Sequence, residues 1–201
     1  MNKVLTIALF GAVAGNAWAG TETGSISPYV ATRAGLGLLS SSGVDTLTGP
    51  SLGAAAGAKF ALENNMAVRV EGEFGYNSFS EKDSIDMYGT TVSIDSTYSP
   101  MTFMANAYFD FMTDYKLKPY VGAGAGIANF DIKVKTSVMG MSGTASGSQS
   151  GFTYGLYGGV GFNIVEDGSV AGDVGVRYVS MSIESETFNV LSFNAGVKYM
   201  F

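Results

Sequence analysis

The strongest regularity along this chain has a period of two. Between Ser51 and Leu62, Leu52, Ala54, Ala56, Ala58, Phe60 and Leu62 fall on one face, and Gly53, Ala55, Gly57, Lys59 and Ala61 on the other. Such alternation marks a strand whose two sides meet different surroundings. Seven further segments read the same way. Val68, Val70, Phe74 and Tyr76 oppose Arg69, Glu71 and Glu73; Met101 to Phe111 alternates against Thr102, Asn106, Tyr108 and Asp110. Val121 to Ile127 alternates against three glycines, Phe152 to Ile164 against Thr153 and Gly155, and Val170 to Tyr178 against Asp173 and Arg177. Leu191 to Phe201 alternates against Lys198, and Val30 to Leu38 more weakly against Arg33. Eight strands are predicted.

The charges test that parity. Arg33, Lys59, Arg69, Glu71, Glu73, Asp110, Asp173, Arg177 and Lys198 all fall on the small or polar face and none on the apolar one. Soluble sandwiches alternate too, but here positive and negative charges nearly balance, as a narrow interior requires. The connections separate the readings further. Glu63 to Asn65, Thr113 to Lys118 and Val165 to Ser169 are short, whereas Ser40 to Pro50, Ser78 to Ser99, Asp131 to Ser150 and Met181 to Asn189 are long. Strict short–long alternation is the arrangement of bacterial outer-membrane barrels. The apolar-face aromatics also separate into two bands. Phe60, Phe109, Phe111, Phe162, Tyr199 and Phe201 lie at one end of their strands; Phe74, Tyr76, Phe103, Phe152, Tyr154, Tyr178 and Phe193 lie at the other. Rings prefer the two headgroup levels of a bilayer. The expected fold is all-β: an eight-stranded antiparallel transmembrane β-barrel with short periplasmic turns and long external loops, held by lipid in the cell outer membrane.

Composition sharpens this. Hydrophobic residues make up 46% and charged residues 14%, yet mean hydropathy is only +0.21 and no run reaches the length of a membrane helix. Lys3, the apolar stretch Val4 to Ala14 and Ala17-Trp18-Ala19 have the three parts of a secretory leader. Residues 1–19 are therefore expected to be removed, leaving 20–201 as the barrel domain. Cysteine and histidine are both absent, which excludes disulfides, thiolate and imidazole metal sites and every triad with a His base. No cofactor, metal or catalytic residue is expected. A net charge of −6 speaks against an electrostatic nucleic-acid binder.

Three stretches carry a resemblance. Met104 to Phe111 followed by Lys118 to Gly126, Asp173 to Tyr178, and the terminal Asn194-x-Gly196-x-x-Tyr199-x-Phe201 together resemble the small outer-membrane β-barrel family that includes opacity-type surface proteins and the outer-membrane protein A barrel. The terminal motif is similar to the signal read by the barrel-assembly machinery, which implies that Asn194, Gly196, Tyr199 and Phe201 guide insertion. The opacity-type likeness implies a host or matrix ligand for the external loops. The given sequence stops at Phe201, so the cell-wall attachment of some family members is not carried over.

The inward charges admit two readings. Glu71 and Glu73 could act as the paired carboxylates of a glycoside hydrolase, or form the negative half of a salt-bridge network with Arg33, Lys59, Arg177 or Lys198. An eight-stranded barrel is only wide enough for its own side chains, which favours the network. Gly122, Gly124 and Gly126 share one face and precede no helix, so they read as room for Tyr108, Tyr157 and Arg177 rather than as a phosphate loop. Beyond Ile127 the apolar parity switches to Phe130, Ile132 and Val134; a bulge or an extension beyond the bilayer would each produce this. The loops at 78–99 and 131–150 are expected to rise as ribbons, with Gly140 to Gly151 as a mobile tip. The functional expectation is a monomeric, non-enzymatic barrel with a filled lumen and a structural or surface-interaction role. The alternative is a narrow pore or small-ligand conduit.

Overall fold

The computed structural model describes residues 26–41, 44–62, 65–87, 90–111, 116–138, 141–183 and 186–201. The expected leader at 1–19 lies outside the described residues. The described chain is all strand: β1 (Ile26–Ser41), β2 (Val44–Leu62), β3 (Met66–Asn77), β4 (Phe79–Met87), β5 (Thr90–Phe111), β6 (Leu117–Val138), β7 (Met141–Asn163), β8 (Val170–Ile183) and β9 (Glu186–Met200). All pairings are antiparallel, in the order β3-β2-β1-β9-β8-β7-β6-β5-β4, and a β3–β5 ladder closes the ring. The seam between chain ends is a full ladder from Tyr29↔Met200 to Ser41↔Phe188, extended by the Phe201 N–H donating to the Pro28 carbonyl.

Eight staves make the ring, although there are nine strand segments. The third stave breaks at Ser78, whose N–H donates to the Pro50 carbonyl. Pro50 has no N–H of its own, so the β2–β3 ladder stops at Ser51↔Asn77. Above that point β4 pairs with β5. The break turns Phe79 inward to complete burial, into space left by Gly37 and Gly49; a Cβ on Gly37 would lie 3.2 Å from its ring.

At one end the connections are tight. Asn65 takes a left-handed φ of 56° in the β2–β3 turn and Gly168 one of 76° before β8. In the latter turn the Asp167 carboxylate accepts the Ser169 N–H at 2.8 Å, which holds its pKa below the ordinary carboxylate range. At the other end all four long connections are paired ladders, reaching Ser41↔Val44, Met87↔Thr90, Val138↔Met141 and Ile183↔Glu186. The expected mobile tip at Gly140 to Gly151 is corrected here. Residues 141–151 belong to β7 and pair residue by residue with β6, because the ladder satisfies backbone groups that glycine and serine side chains cannot.

The parity switch in β6 resolves in favour of extension. The β5–β6 ladder runs without a register shift from Val92↔Val138 to Asp110↔Tyr120. Ile127 is 62% exposed on the outside, and the next residue, Ala128, is 1% exposed on the inside. Below that level large apolar side chains point outward, including Val70, Phe103, Val121, Leu156, Val174 and Val197. Phe103 and Ile127 are register partners, as are Ile127 and Phe152, so the outer aromatic band is a physical row. Phe74 and Phe103 pack at 5.1 Å between ring centroids. Above the row, apolar residues turn inward. Leu39, Leu47, Phe79, Phe130, Met181, Ile183 and Val190 form one buried cluster with Phe188 and Tyr98 packed against it. The barrel is apolar-out in its lower part and apolar-in above.

Candidate functional site

Beneath the apolar cluster the lumen is filled by a charged network in two tiers. In the upper tier Glu73 bridges two arginines: Arg33 Nη1 at 2.7 Å and Arg177 Nη2 at 2.6 Å. The other Arg33 nitrogen pairs with Glu71 at 2.9 Å. Glu71 also accepts the hydroxyls of Tyr29 and Tyr108, each at 2.8 Å, and Asn106 Nδ2 donates to Glu73 at 3.2 Å. Tyr157 donates to Asn106 Oδ1 at 2.9 Å, and its ring lies under the Arg177 guanidinium at 4.1 Å. Each charge is thus compensated by an opposite charge, and the carboxylates accept further hydroxyl and amide donors, the condition for keeping ions out of water. In the lower tier Arg69 Nε donates to both Asp110 oxygens, at 2.8 and 2.9 Å. Asp173 meets Lys198 at 3.2 Å and accepts the Tyr120 hydroxyl at 3.0 Å.

The structure therefore brings eight of the nine predicted interior charges together in these ion pairs: Arg33, Arg69, Glu71, Glu73, Asp110, Asp173, Arg177 and Lys198. Lys59 stands lower, at the short-turn mouth beside Arg69. Tyr29, Asn106 and Tyr120 are network members that charge parity alone does not single out. Their inward register was the available signal. Gly122 leaves room for Tyr108 as expected, whereas Gly124 faces Asn106 and Gly126 the backbone of Phe103 and Met104; Tyr157 is accommodated by Gly155, and Tyr120 by Gly159 and Gly175. A Cβ at either position would lie 2.6 Å from the Tyr120 hydroxyl.

This arrangement leaves little room for chemistry. Both glutamates are enclosed by donors, and the space beside Glu73, which Asn77 Oδ1 faces without a protein partner, is a cavity of about 30 Å³. That holds a water, not a sugar ring. Among the described residues no group of His, Cys, Asp and Glu is placed to hold a metal ion. On the outer wall a broad depression of about 710 Å³ over Ala34, Ala54 and Ala195, edged by Leu52, Phe74 and Val197, is overwhelmingly apolar.

The terminal motif occupies the seam strand. Asn194 Nδ2 donates to Ser192 Oγ at 2.8 Å inside the barrel. Tyr199 and Phe201 project outward, edge to face at 5.2 Å, and Gly196 faces Arg33 and Asp173 inside.

At the far end the upper parts of β4, β5, β6 and β7 leave the ring as a four-stranded blade. Lys82, Asp95 and Lys135 stand side by side in register across its outward face, a row of alternating sign. The row ends at Thr144 on β7, which is neutral. From Met141 to Ser150 every residue is exposed, and β8 pairs with β7 only from Phe152↔Ser182 downward. The upper β7 is an open edge without a charge or a proline.

Comparison with known proteins places this geometry. The family model described as Outer membrane protein beta-barrel domain matches residues 5–201. The crystal structure of Neisserial surface protein A is similar at 22% identity and a TM-score of 0.53, covering 88% of this chain and 99% of that one. Ail, the attachment invasion locus protein of Yersinia pestis, in complex with the heparin analogue sucrose octasulfate, is similar at 18% identity and a TM-score of 0.52, covering 87% and 99%. No curated protein is significantly similar in sequence.

Proposed function

This chain belongs to the Outer membrane protein beta-barrel domain family, and we propose that in the outer membrane it is a monomeric, non-enzymatic surface-interaction protein whose blade carries the contact. The observation behind this reading is the upper β7, ten exposed residues paired on one side only. An unpaired edge is a template for strand addition unless charge, proline or a bulge blunts it, and here nothing does. The structure of Ail holds a sulphated heparin analogue. On the blade of this chain Asp95 stands between Lys82 and Lys135, and Asp131 precedes Lys133 on the outward face of β6, a mixed-sign surface that favours an extended peptide over a polyanion.

Proteoliposomes carrying the full chain are expected to adhere to surfaces coated with an extended peptide of alternating apolar and polar residues, the kind of strand an open edge can add. Thr144→Glu with Ser146→Glu places charges along the edge opposite Lys135 and Lys133, which supports the β6 ladder, and should reduce adhesion at least tenfold. Adhesion unchanged in that variant would remove the edge from consideration.

Asn194, Gly196, Tyr199 and Phe201 serve in this reading as the handle for the barrel-assembly machinery. Tyr199 and Phe201 present an aromatic pair outward on the strand that closes the ring. Deleting Phe201 should slow the appearance of heat-modifiable barrel in a reconstituted assembly reaction several-fold. Assembly at the wild-type rate and yield would refute this role.

A further inference from the structure

The upper β7 is a strand that fits its own copy. On the outward face, the one that carries Lys133 and Lys135 on β6, Ser142, Thr144, Ser146, Ser148 and Ser150 form an unbroken hydroxyl row. The opposite face holds Gly143, Ala145, Gly147 and Gln149. Elsewhere in the barrel a strand glycine answers to a neighbour: a Cβ on Gly122, Gly124 or Gly151 would collide with Tyr108, Asn106 or Ser182. At Gly143 and Gly147 a Cβ would meet nothing within 4 Å. Glycine weakens a strand and marks places where another backbone comes close, and no described neighbour accounts for these two. The strip is also neutral. A two-fold axis would double any charge on a self-pairing edge, and Met141 to Ser150 carries none to double. Chain direction then decides where the copy sits. β7 runs from the far end of the blade toward the bilayer. Copies in one membrane point these strands the same way; copies in facing membranes point them oppositely, which permits the more stable antiparallel ladder.

We propose that the strand taken up by this edge is the β7 edge of a second copy in a facing membrane, an inference that rests on the blade being the contact and names its partner. Pairing about Ser146 aligns Ser142 to Ser150 of the two chains, with Thr144 against Ser148, Ala145 against Gly147 and Gly143 against Gln149. Hydroxyl meets hydroxyl, which favours a cross-strand pair. Lys135, beside Thr144 on β6, then shares a cross-strand line with the copy's Asp131, beside Ser148. The neighbouring β8 does not obstruct the edge, since Ser182 already pairs with Phe152 at its foot. Ser146 lies six residues from Phe152 on each chain, so the two aromatic rows would stand about 40 Å apart measured along the strands. A single ladder is a weak contact, and many copies on each membrane act together.

The test mixes two dye-labelled populations of phosphatidylcholine vesicles carrying the full chain and reads their co-clustering by fluorescence cross-correlation. Wild-type vesicles should cluster with one another and not with empty ones. Thr144→Glu with Ser146→Glu sets like charges against each other at the axis and should cut self-clustering at least tenfold. The same vesicles should cluster again with a population carrying Ser148→Lys, clearly more than with the wild type. That lysine lies across from position 144 of the copy and, in its own chain, beside Asp131. Ser93→Glu with Thr97→Glu puts equal charge on the interior strand β5 and should leave clustering unchanged. Wild-type vesicles that bind the peptide-coated surface but do not cluster would overturn self-pairing and leave the edge as a peptide site. Loss of both would overturn self-pairing together with the reading of the blade as the contact. Undiminished clustering of the Thr144, Ser146 variant, or no preference for Ser148→Lys, would overturn the proposal as well.

Discussion

Replacing Glu73 by alanine should destabilise the folded barrel by about 3–5 kcal/mol, the cost of stranding a buried charge without its partner. Glu73 spans two arginines, Arg33 and Arg177, and its side chain is 6% exposed. Arg33 keeps Glu71 after the change. Arg177 keeps the Tyr157 ring and a long contact of 3.4 Å to the Tyr108 hydroxyl, neither of which neutralises it. Adding Arg177→Met removes the stranded charge, so the double variant should recover more than half of the loss. Urea unfolding in lipid vesicles measures both. A single-variant loss below about 1 kcal/mol, or losses that simply add, would show that the network is not energetically coupled. The wild-type barrel should show no stable ion-conducting steps in planar bilayers, because the network and the cluster above it fill the lumen.

Phe130→Ala should cost a similar amount for a different reason. Phe130 is 2% exposed, stacks on Phe188 at 4.4 Å and meets Tyr98 at 6.2 Å, inside the part of the barrel that stands above the outer aromatic row. Truncating a buried phenylalanine removes its transfer energy and leaves a cavity, about 3–5 kcal/mol together. Ile127→Ala, three residues earlier, should cost distinctly less, since acyl chains flow into the vacated space and no cavity forms. Equal losses at the two positions would mean that Phe130 does not sit in a packed core.

Why the sequence revealed so much of this fold, and where it stopped, follows from what alternation encodes. Period two assigned faces correctly at Leu52, Phe103, Val121 and Leu156 because lipid and lumen impose opposite requirements on successive residues. The same pattern could not tell a bulge from an extension at Ile127 to Phe130, since both invert the apolar parity; backbone register was needed. Met141 to Gly151 offered no alternation at all. Its pairing is set by the partner strand rather than by its own side chains, so it read as a tip. The inward charges were legible as a set, but their partners were not. Arg177 and Glu73 are 104 residues apart, and only closure of the ring brings them together. Tyr29 and Tyr120, inward and uncharged, lay outside a search keyed to charge.

The reversal between Ile127 and Ala128 also fixes how deep the molecule sits. The outward row of Phe74, Phe103, Ile127, Phe152 and Phe193 favours hydrocarbon or its margin, while Asp131, Lys133 and Lys135 begin four residues above Ile127 on the same strand. Sinking the barrel by two residues, about 6.6 Å along a strand, would draw aspartates and lysines toward the acyl chains. Raising it by as much would lift five large apolar side chains into water. The two penalties oppose one another around the whole circumference, so the wall holds its own waterline, and the height at which the blade stands above the lipid is set by the strands themselves.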